Sequence, residues 1–210
     1  MKTKQRLLFL SLLKKKYKLK RSTELIFSNP FEFLIAVILS AQTRDITVNK
    51  VTKILFSIAN SPKKILSLGK NKLLNLIKNI GLYKTKTKNL IQTCKILLKK
   101  YNGKVPKNRI DLESLPGVGR KTSNVILNFI FNKKKIAVDT HVFRVCNRTG
   151  FAVGKNPRSV ERILLKVVPN NYKLYIHTWF ILHGKIFCRS RKMHCKICIL
   201  KNLCKFFKNQ

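Results

Sequence analysis

The apolar residues of this chain recur at helical spacing along almost its whole length. Leu34, Val37, Ile38 and Ala41 fit an i, i+3, i+4, i+7 pattern, as do Leu73, Leu76, Ile77 and Ile80, and Val160, Ile163, Leu164 and Val167. Such a stripe covers one face of a helix and buries it against a neighbour. Thr122 to Ile130 and Tyr172 to His183 continue the series, and no segment sustains the two-residue alternation of a half-buried strand. Gly81 and Pro169 close periodic runs, and only 8 Gly and 6 Pro interrupt 210 residues. The expectation is an all-α fold of about ten helices.

Charge narrows the partner. The chain carries 46 Lys+Arg against 7 Asp+Glu, formally +39. A surface so cationic repels itself unless it meets a polyanion, so nucleic acid or an anionic membrane leads. The apolar runs Leu7–Leu10 and Phe33–Leu39 are far short of the ~20 residues that span a bilayer. Lys2, Lys4 and Arg6 before a leucine stretch resemble a signal peptide. The stretch runs straight into Lys14, Lys15 and Lys16 with no small-residue cleavage site, so it reads as an amphipathic helix. The basic run from Lys14 to Lys20 is expected to add long-range attraction only. Lysine codons are AT-rich, so genome composition is a second source of the excess.

Four of the 6 cysteines crowd the C-terminus: Cys188, Cys195, Cys198 and Cys204, spaced C-x6-C-x2-C-x5-C. Disulfides are one reading, which a reducing cytosol disfavours. Zinc is another, but its structural sites come as paired short knuckles, and only one x2 pair exists here. The spacing favours a [4Fe–4S] cluster. Cys94 and Cys146 lie on apolar helical faces and read as core. Arg189, Arg191 and Lys192 occupy the wide first gap, where a loop pinned at both ends can hold them toward phosphates; one more basic patch is the alternative.

Residues 115–122 read Leu-Pro-Gly-Val-Gly-Arg-Lys-Thr between two helical stretches, the second starting at Arg120. Gly117 and Gly119 are expected to turn the backbone with positive φ and aim their N–H groups at a phosphate. This is the helix-hairpin-helix signature, which grips DNA backbone without reading sequence. Lys121 follows in the first helical turn, facing the positive end of the dipole with Arg120 beside it, and both favour the neutral, nucleophilic amine. Such an amine forms a Schiff base with an aldehyde-level carbon. A simple phosphate contact is the competing role. Asp139, one of only 7 acids, stands just before the helix containing Val142 and Val145. It reads as an N-cap that stays ionised and is able to stabilise a developing cation.

Together these pieces resemble the endonuclease III family of iron–sulfur helix-hairpin-helix DNA glycosylases. The likeness runs through Ile38–Asp45 (ILSAQTRD), Ile80–Lys84 (IGLYK), Leu115–Thr122, Val138–Gly150 (VDTHVFRVCNRTG), and His183-Gly184 with the four cysteines. It implies a helix-hairpin-helix glycosylase fold of two helical lobes with a DNA cleft between them. Residues 23–133 would form a six-helix lobe with the hairpin at 111–132. Residues 1–22 with 134–210 would form the cluster lobe, its motif at 188–204.

The implied activity is base excision repair: a bifunctional DNA glycosylase and AP lyase that removes oxidised pyrimidines from duplex DNA. It nicks the strand 3′ to the abasic site by β-elimination. Lys121 and Asp139 would be catalytic, facing each other across the cleft. The four cysteines would hold a [4Fe–4S] cluster. Gln42 and Leu82 match the family's inserting positions; Asp45 and His141 match pocket positions. Gly117, Gly119, Arg120, Arg189, Arg191 and Lys192 would also contact DNA. The implied protein is a cytoplasmic, nucleoid-associated bacterial monomer that binds damaged double-stranded DNA and no membrane. Met193 stands where relatives often carry proline. Two rivals differ in class: an adenine glycosylase acting opposite oxidised guanine, which lacks the lysine, and a non-catalytic DNA-binding module with a structural metal.

Overall fold

The structure is a computed structural model that describes residues 1–19, 21 and 23–209. Among the described residues every regular element is a helix, and the chain divides into two compact units.

The unit Thr23–Phe131 is built on α2 (Pro30–Ser40). Pro30 presets the first turn, and Asn29 caps it by accepting the Glu32 N–H at 2.9 Å. Every residue from Phe31 to Leu39 is buried, all of them apolar except Glu32, so the helix forms the middle of the unit. Against it pack α3 (Asp45–Ile58), α6 (Tyr83–Tyr101) and α8 (Arg120–Phe129). Between them run α4 (Pro62–Ser67) and α5 (Gly69–Leu76), and α7 (Arg109–Glu113) precedes the hairpin turn. Seven helices lie here instead of the six expected. Gly69, at φ +74, breaks one apolar run into α4 and α5.

The other unit joins Met1–Ser22 to Asn132–Gln210. The chain returns to it at Asn132, whose φ of 52 an asparagine tolerates, two residues before the expected boundary at 134. Its helices are α1 (Thr3–Tyr17), α9 (Thr140–Thr149), α10 (Pro157–Val167), α11 (Ile176–Ile186) and α12 (Lys205–Lys208), with a 3₁₀ turn at Lys201–Leu203. Phe9, Leu10 and Leu13 anchor α1 in the core, and the rings of Phe9, Phe151 and Phe180 meet edge-on and tilted. Leu7 and Leu8 stay about half exposed, so the first helix buries only part of its leucine stretch. Trp179 is fully buried, and its indole N–H donates to the Lys18 carbonyl at 2.9 Å.

Candidate active site

The hairpin is held from three sides. Leu115 and Val118 are buried, and the Val118 N–H donates to the Leu115 carbonyl at 3.0 Å. Thr93 on α6 donates to the Pro116 carbonyl at 3.1 Å, and Ser123 on α8 donates to Glu113 of α7 at 3.0 Å. Gly117 takes φ +83, and a side chain there would meet Asn89 and Ile38 at 3.1 and 3.3 Å. Gly119 differs from expectation. It has φ −94 and ψ −177, because an N-cap must be extended for its carbonyl to open the helix. That carbonyl accepts the Ser123 N–H at 2.9 Å, and no atom approaches where a Cβ would stand. The bare backbone leaves the first N–H groups of α8 open to an anion. Lys121 follows one residue later in chain order after Arg120, exposed in the first turn of α8.

Asp139 caps α9 as its position suggested: its Oδ1 accepts the Val142 N–H at 2.8 Å. The approach to it is rigid. Ile136 and Val138 are buried in the core, and His177 Nδ1 donates to the Ala137 carbonyl at 2.9 Å. Asp139 remains half-buried, with one carboxylate oxygen committed to the cap. His141, in the first turn of α9, rests against α11, where a side chain at Gly184 would strike it at 3.1 Å. Arg144 bridges the His141 ring, at 3.0 Å, to the Gly184 carbonyl, at 3.1 Å. Burial pushes the His141 pKa down, helped by Arg144 and Lys185 and opposed by Asp139 and the Gly184 backbone.

In the other unit Gln42, in the loop between α2 and α3, and Leu82, at the N-cap of α6, are exposed, and both adopt left-handed backbone with φ of 56 and 59. Asp45 starts α3, half-buried in its first turn.

The four cysteines line one pocket, open on one side to solvent, together with Arg148, His183, Phe187, Met193 and Phe206. Two N–H donors and one imidazole nitrogen lie against their sulfurs. His183 Nε2 lies 3.4 Å from Cys198, the Leu200 N–H 3.4 Å from Cys198, and Arg148 Nη1 3.8 Å from Cys188. Burial pushes the Cys198 thiol up to about 11; the Leu200 N–H opposes this, and the other three thiols add to it. Four neighbouring thiolates therefore need a cationic partner. Among the described residues no three Cys, His, Asp or Glu side chains gather around a single metal ion. Four cysteines lining one solvent-open pocket, with N–H groups of Leu200 and Arg148 at two of their sulfurs, are a donor set that would suit a multi-iron centre.

The loop after Cys188 is tied down by two residues absent from the sequence reading. Arg144 donates to the Cys188 carbonyl at 2.9 Å; Arg148 donates to the carbonyls of Arg189 at 2.5 Å and Ser190 at 3.1 Å. Their four-residue spacing on α9 places both on one face and was the available signal. Arg189, Arg191 and Lys192 stay exposed on that loop, and Arg189 Nε donates to the Lys185 carbonyl at 3.1 Å.

Residues 35–170 match the family described as HhH-GPD superfamily base excision DNA repair protein. An endonuclease III from Buchnera aphidicola subsp. Acyrthosiphon pisum is 62% identical over 183 residues, 87% of each chain. This chain belongs to the endonuclease III family. The endonuclease III of Escherichia coli K12 is 56% identical over 185 residues, 88% of each chain. A solved structure of a trapped endonuclease III–DNA covalent intermediate matches with a TM-score of 0.93 at 40% identity, covering 100% of this chain and 98% of that one. A non-covalent endonuclease III–DNA complex matches equally well. No helix among the described residues is long and apolar enough to cross a membrane.

Proposed function

We propose that the endonuclease III reaction runs in this chain through Lys121 and Asp139. The protein is a base excision repair DNA glycosylase and AP lyase acting on damaged duplex DNA. Oxidised pyrimidines are its substrate class. The observation that carries the residue assignment is the exposed Lys121 amine, in the first turn after a hairpin of bare glycine backbone.

The hairpin takes DNA phosphate on Gly117, Gly119 and Arg120, which positions the strand without reading it. The damaged nucleotide is flipped out of the stack. Gln42 and Leu82 fill the gap it leaves, and Asp45 and His141 line the pocket. The Lys121 Nζ forms a bond to the sugar C1′ while the C1′–N bond to the base breaks, and the base leaves with its electron pair and takes up a proton. Asp139 stabilises the positive charge that develops on the sugar and accepts the proton released from the amine. The ring opens to an imine between C1′ and Lys121. The imine acidifies the C2′ hydrogen; its loss breaks the C3′–O bond and expels the 3′ phosphate. Water then hydrolyses the imine and frees the lysine.

Cys188, Cys195, Cys198 and Cys204 hold a [4Fe–4S] cluster, which ties together the chain from 188 to 204. Arg189, Arg191 and Lys192 on the loop it closes bind phosphate.

Borohydride trapping tests the reading. Reduction should fix a covalent adduct between the wild-type protein and a duplex carrying an oxidised pyrimidine. Lys121→Ala should give neither adduct nor nick while still binding abasic duplex. An adduct at wild-type level in the variant would remove Lys121 from its role.

A further inference from the structure

We infer that Lys86 is a positioning residue that ties the loop carrying Gln42 to the turn carrying Leu82, so that the two wedge side chains are presented to the duplex together. This rests on the reading above that Gln42 and Leu82 fill the gap left by the flipped nucleotide.

Lysine is the commonest cation here, and its place is the surface, yet Lys86 is only 5% exposed. A buried ammonium is costly unless each of its three N–H groups finds an acceptor. Lys86 Nζ donates to the carbonyls of Leu39 at 2.8 Å and Ala41 at 2.5 Å, and reaches Thr43 Oγ1 at 3.3 Å. The carbonyls lie at and just beyond the C-terminal end of α2, where no helical N–H remains and the dipole is negative. A side chain from the first turns of α6 thus completes the end of a different helix. Burial lowers its pKa.

The tie extends further. Thr43 Oγ1 also accepts the Gly81 N–H at 3.1 Å. A Cβ on Gly81 would stand 3.0 Å from the Gln42 carbonyl and 3.3 Å from Thr43 Oγ1, so the two backbones touch. The next residue is Leu82, 58% exposed. Gln42 and Leu82 hold left-handed backbone, which non-glycine residues keep only where their surroundings over-determine it. The chain of contacts from Lys86 through Thr43 to Gly81 supplies that determination for both loops at once. A plain helix cap would need Leu39 and Ala41 alone and would leave Gly81 unconnected.

The test uses the full chain as wild type, Lys86→Met, Thr43→Val and the double variant. Thr43→Val leaves the buried amine in place, which keeps the inference testable if Lys86→Met does not fold. One DNA is a duplex with an oxidised pyrimidine and 2-aminopurine beside it. The other is a single strand with a preformed abasic site, where no partner strand has to be wedged apart. The single-turnover duplex rate divided by the single-strand nicking rate should fall by about tenfold or more in each single variant. The 2-aminopurine fluorescence rise on binding should shrink in parallel. The double variant should lie within about twofold of the worse single, since both cut one link. A ratio and a fluorescence rise within about twofold of wild type in Thr43→Val and in folded Lys86→Met overturn the inference. A wild-type chain that leaves both DNAs intact overturns the proposed reaction instead, and the fluorescence still reads the wedge on its own.

Discussion

His183 Nε2 lies 3.4 Å from the sulfur of Cys198. On its other side the His183 Nδ1 lies 3.3 Å from the hydroxyl of Tyr17, the last residue of α1. The ring is almost fully buried, which pushes its pKa down to about 4 and leaves it one ring proton at neutral pH. With the proposed cluster bound, the Cys198 thiolate would only accept, which would place that proton on Nε2 and leave Nδ1 to accept from Tyr17. Burial, with Cys198 adding to it, raises the Tyr17 pKa and keeps that hydroxyl a donor. The first helix is therefore hydrogen-bonded, through one imidazole, to a candidate cluster ligand.

That relay predicts how tightly iron is held. Partners behind a metal ligand typically change affinity by about 10- to 100-fold. His183→Phe should lose iron to a chelator faster by an amount in that range, and Tyr17→Phe should fall between it and wild type. Iron content and the decay of the visible absorbance follow both. Metal analysis that finds one zinc and no iron in wild type would overturn the cluster assignment itself.

Asp139 combines a cap with a charge, and the two separate by substitution. Asp139→Asn keeps an acceptor for the Val142 N–H and loses the charge. It should fold with little loss of stability while base release drops ~10²- to 10⁴-fold. Asp139→Ala should lose about 1 kcal/mol more stability from the missing cap. Single-turnover base release and urea unfolding read the two effects. Release within a few-fold of wild type in Asp139→Asn would leave the residue its cap alone.

The hairpin, the capping aspartate and the four clustered cysteines were legible because each is a short string with a fixed physical reading. Lys86 was not. Among so many lysines nothing in the sequence separates the buried one, since its burial depends on carbonyls some forty-five residues away. The backbone at Gly119 was misread because a glycine string does not say which residue turns and which caps. Gly69 was passed over because the apolar spacing continues on both sides of it.

Arg144 and Arg148 were missed for the same reason as Lys86: in so basic a chain nothing marks them out from surface charge. Arg148 instead holds two carbonyls of the loop after Cys188 and lies over the Phe206 ring at 5.4 Å. Hydrogen bonds from a charged donor contribute ~1.5–3 kcal/mol each. Arg148→Met should open the 188–195 loop to limited proteolysis and weaken binding to undamaged duplex. Proteolysis at the wild-type rate would show that the cysteines alone fix the loop.

His141 gives a pH dependence with a definite sign. Its folded pKa lies below its unfolded value of 6.5. Between those two values the unfolded chain binds the extra proton, so stability is full above 6.5 and declines as pH falls through this window. His141→Asn should flatten the part of the curve that belongs to this ring. Urea midpoints of both proteins across pH 5 to 7 check it, and curves that stay parallel would show that the ring titrates alike folded and unfolded.

The lysine excess acts on non-specific attraction. Lys14, Lys15 and Lys18 are exposed on or just after α1, whereas Lys16 Nζ sits 5.8 Å from the Phe187 ring centroid, beside the cysteine pocket; Lys20 lies outside the described residues. Each lysine that neutralises a phosphate releases a counterion. About six to ten such contacts imply a ~10³- to 10⁵-fold loss of affinity between about 50 and 200 mM salt. Charges that only add long-range attraction steepen association at low salt without touching the reacting sugar. Replacing Lys14, Lys15 and Lys18 with Gln, and leaving Lys16 in place, should therefore weaken binding to undamaged duplex at low salt. Single-turnover cleavage of damaged duplex at saturating protein should stay near the wild-type rate. If it falls by more than about tenfold, equivalent to ~1.4 kcal/mol on the barrier, the charges on the first helix act on the bound DNA at the step of chemistry and the attraction argument fails.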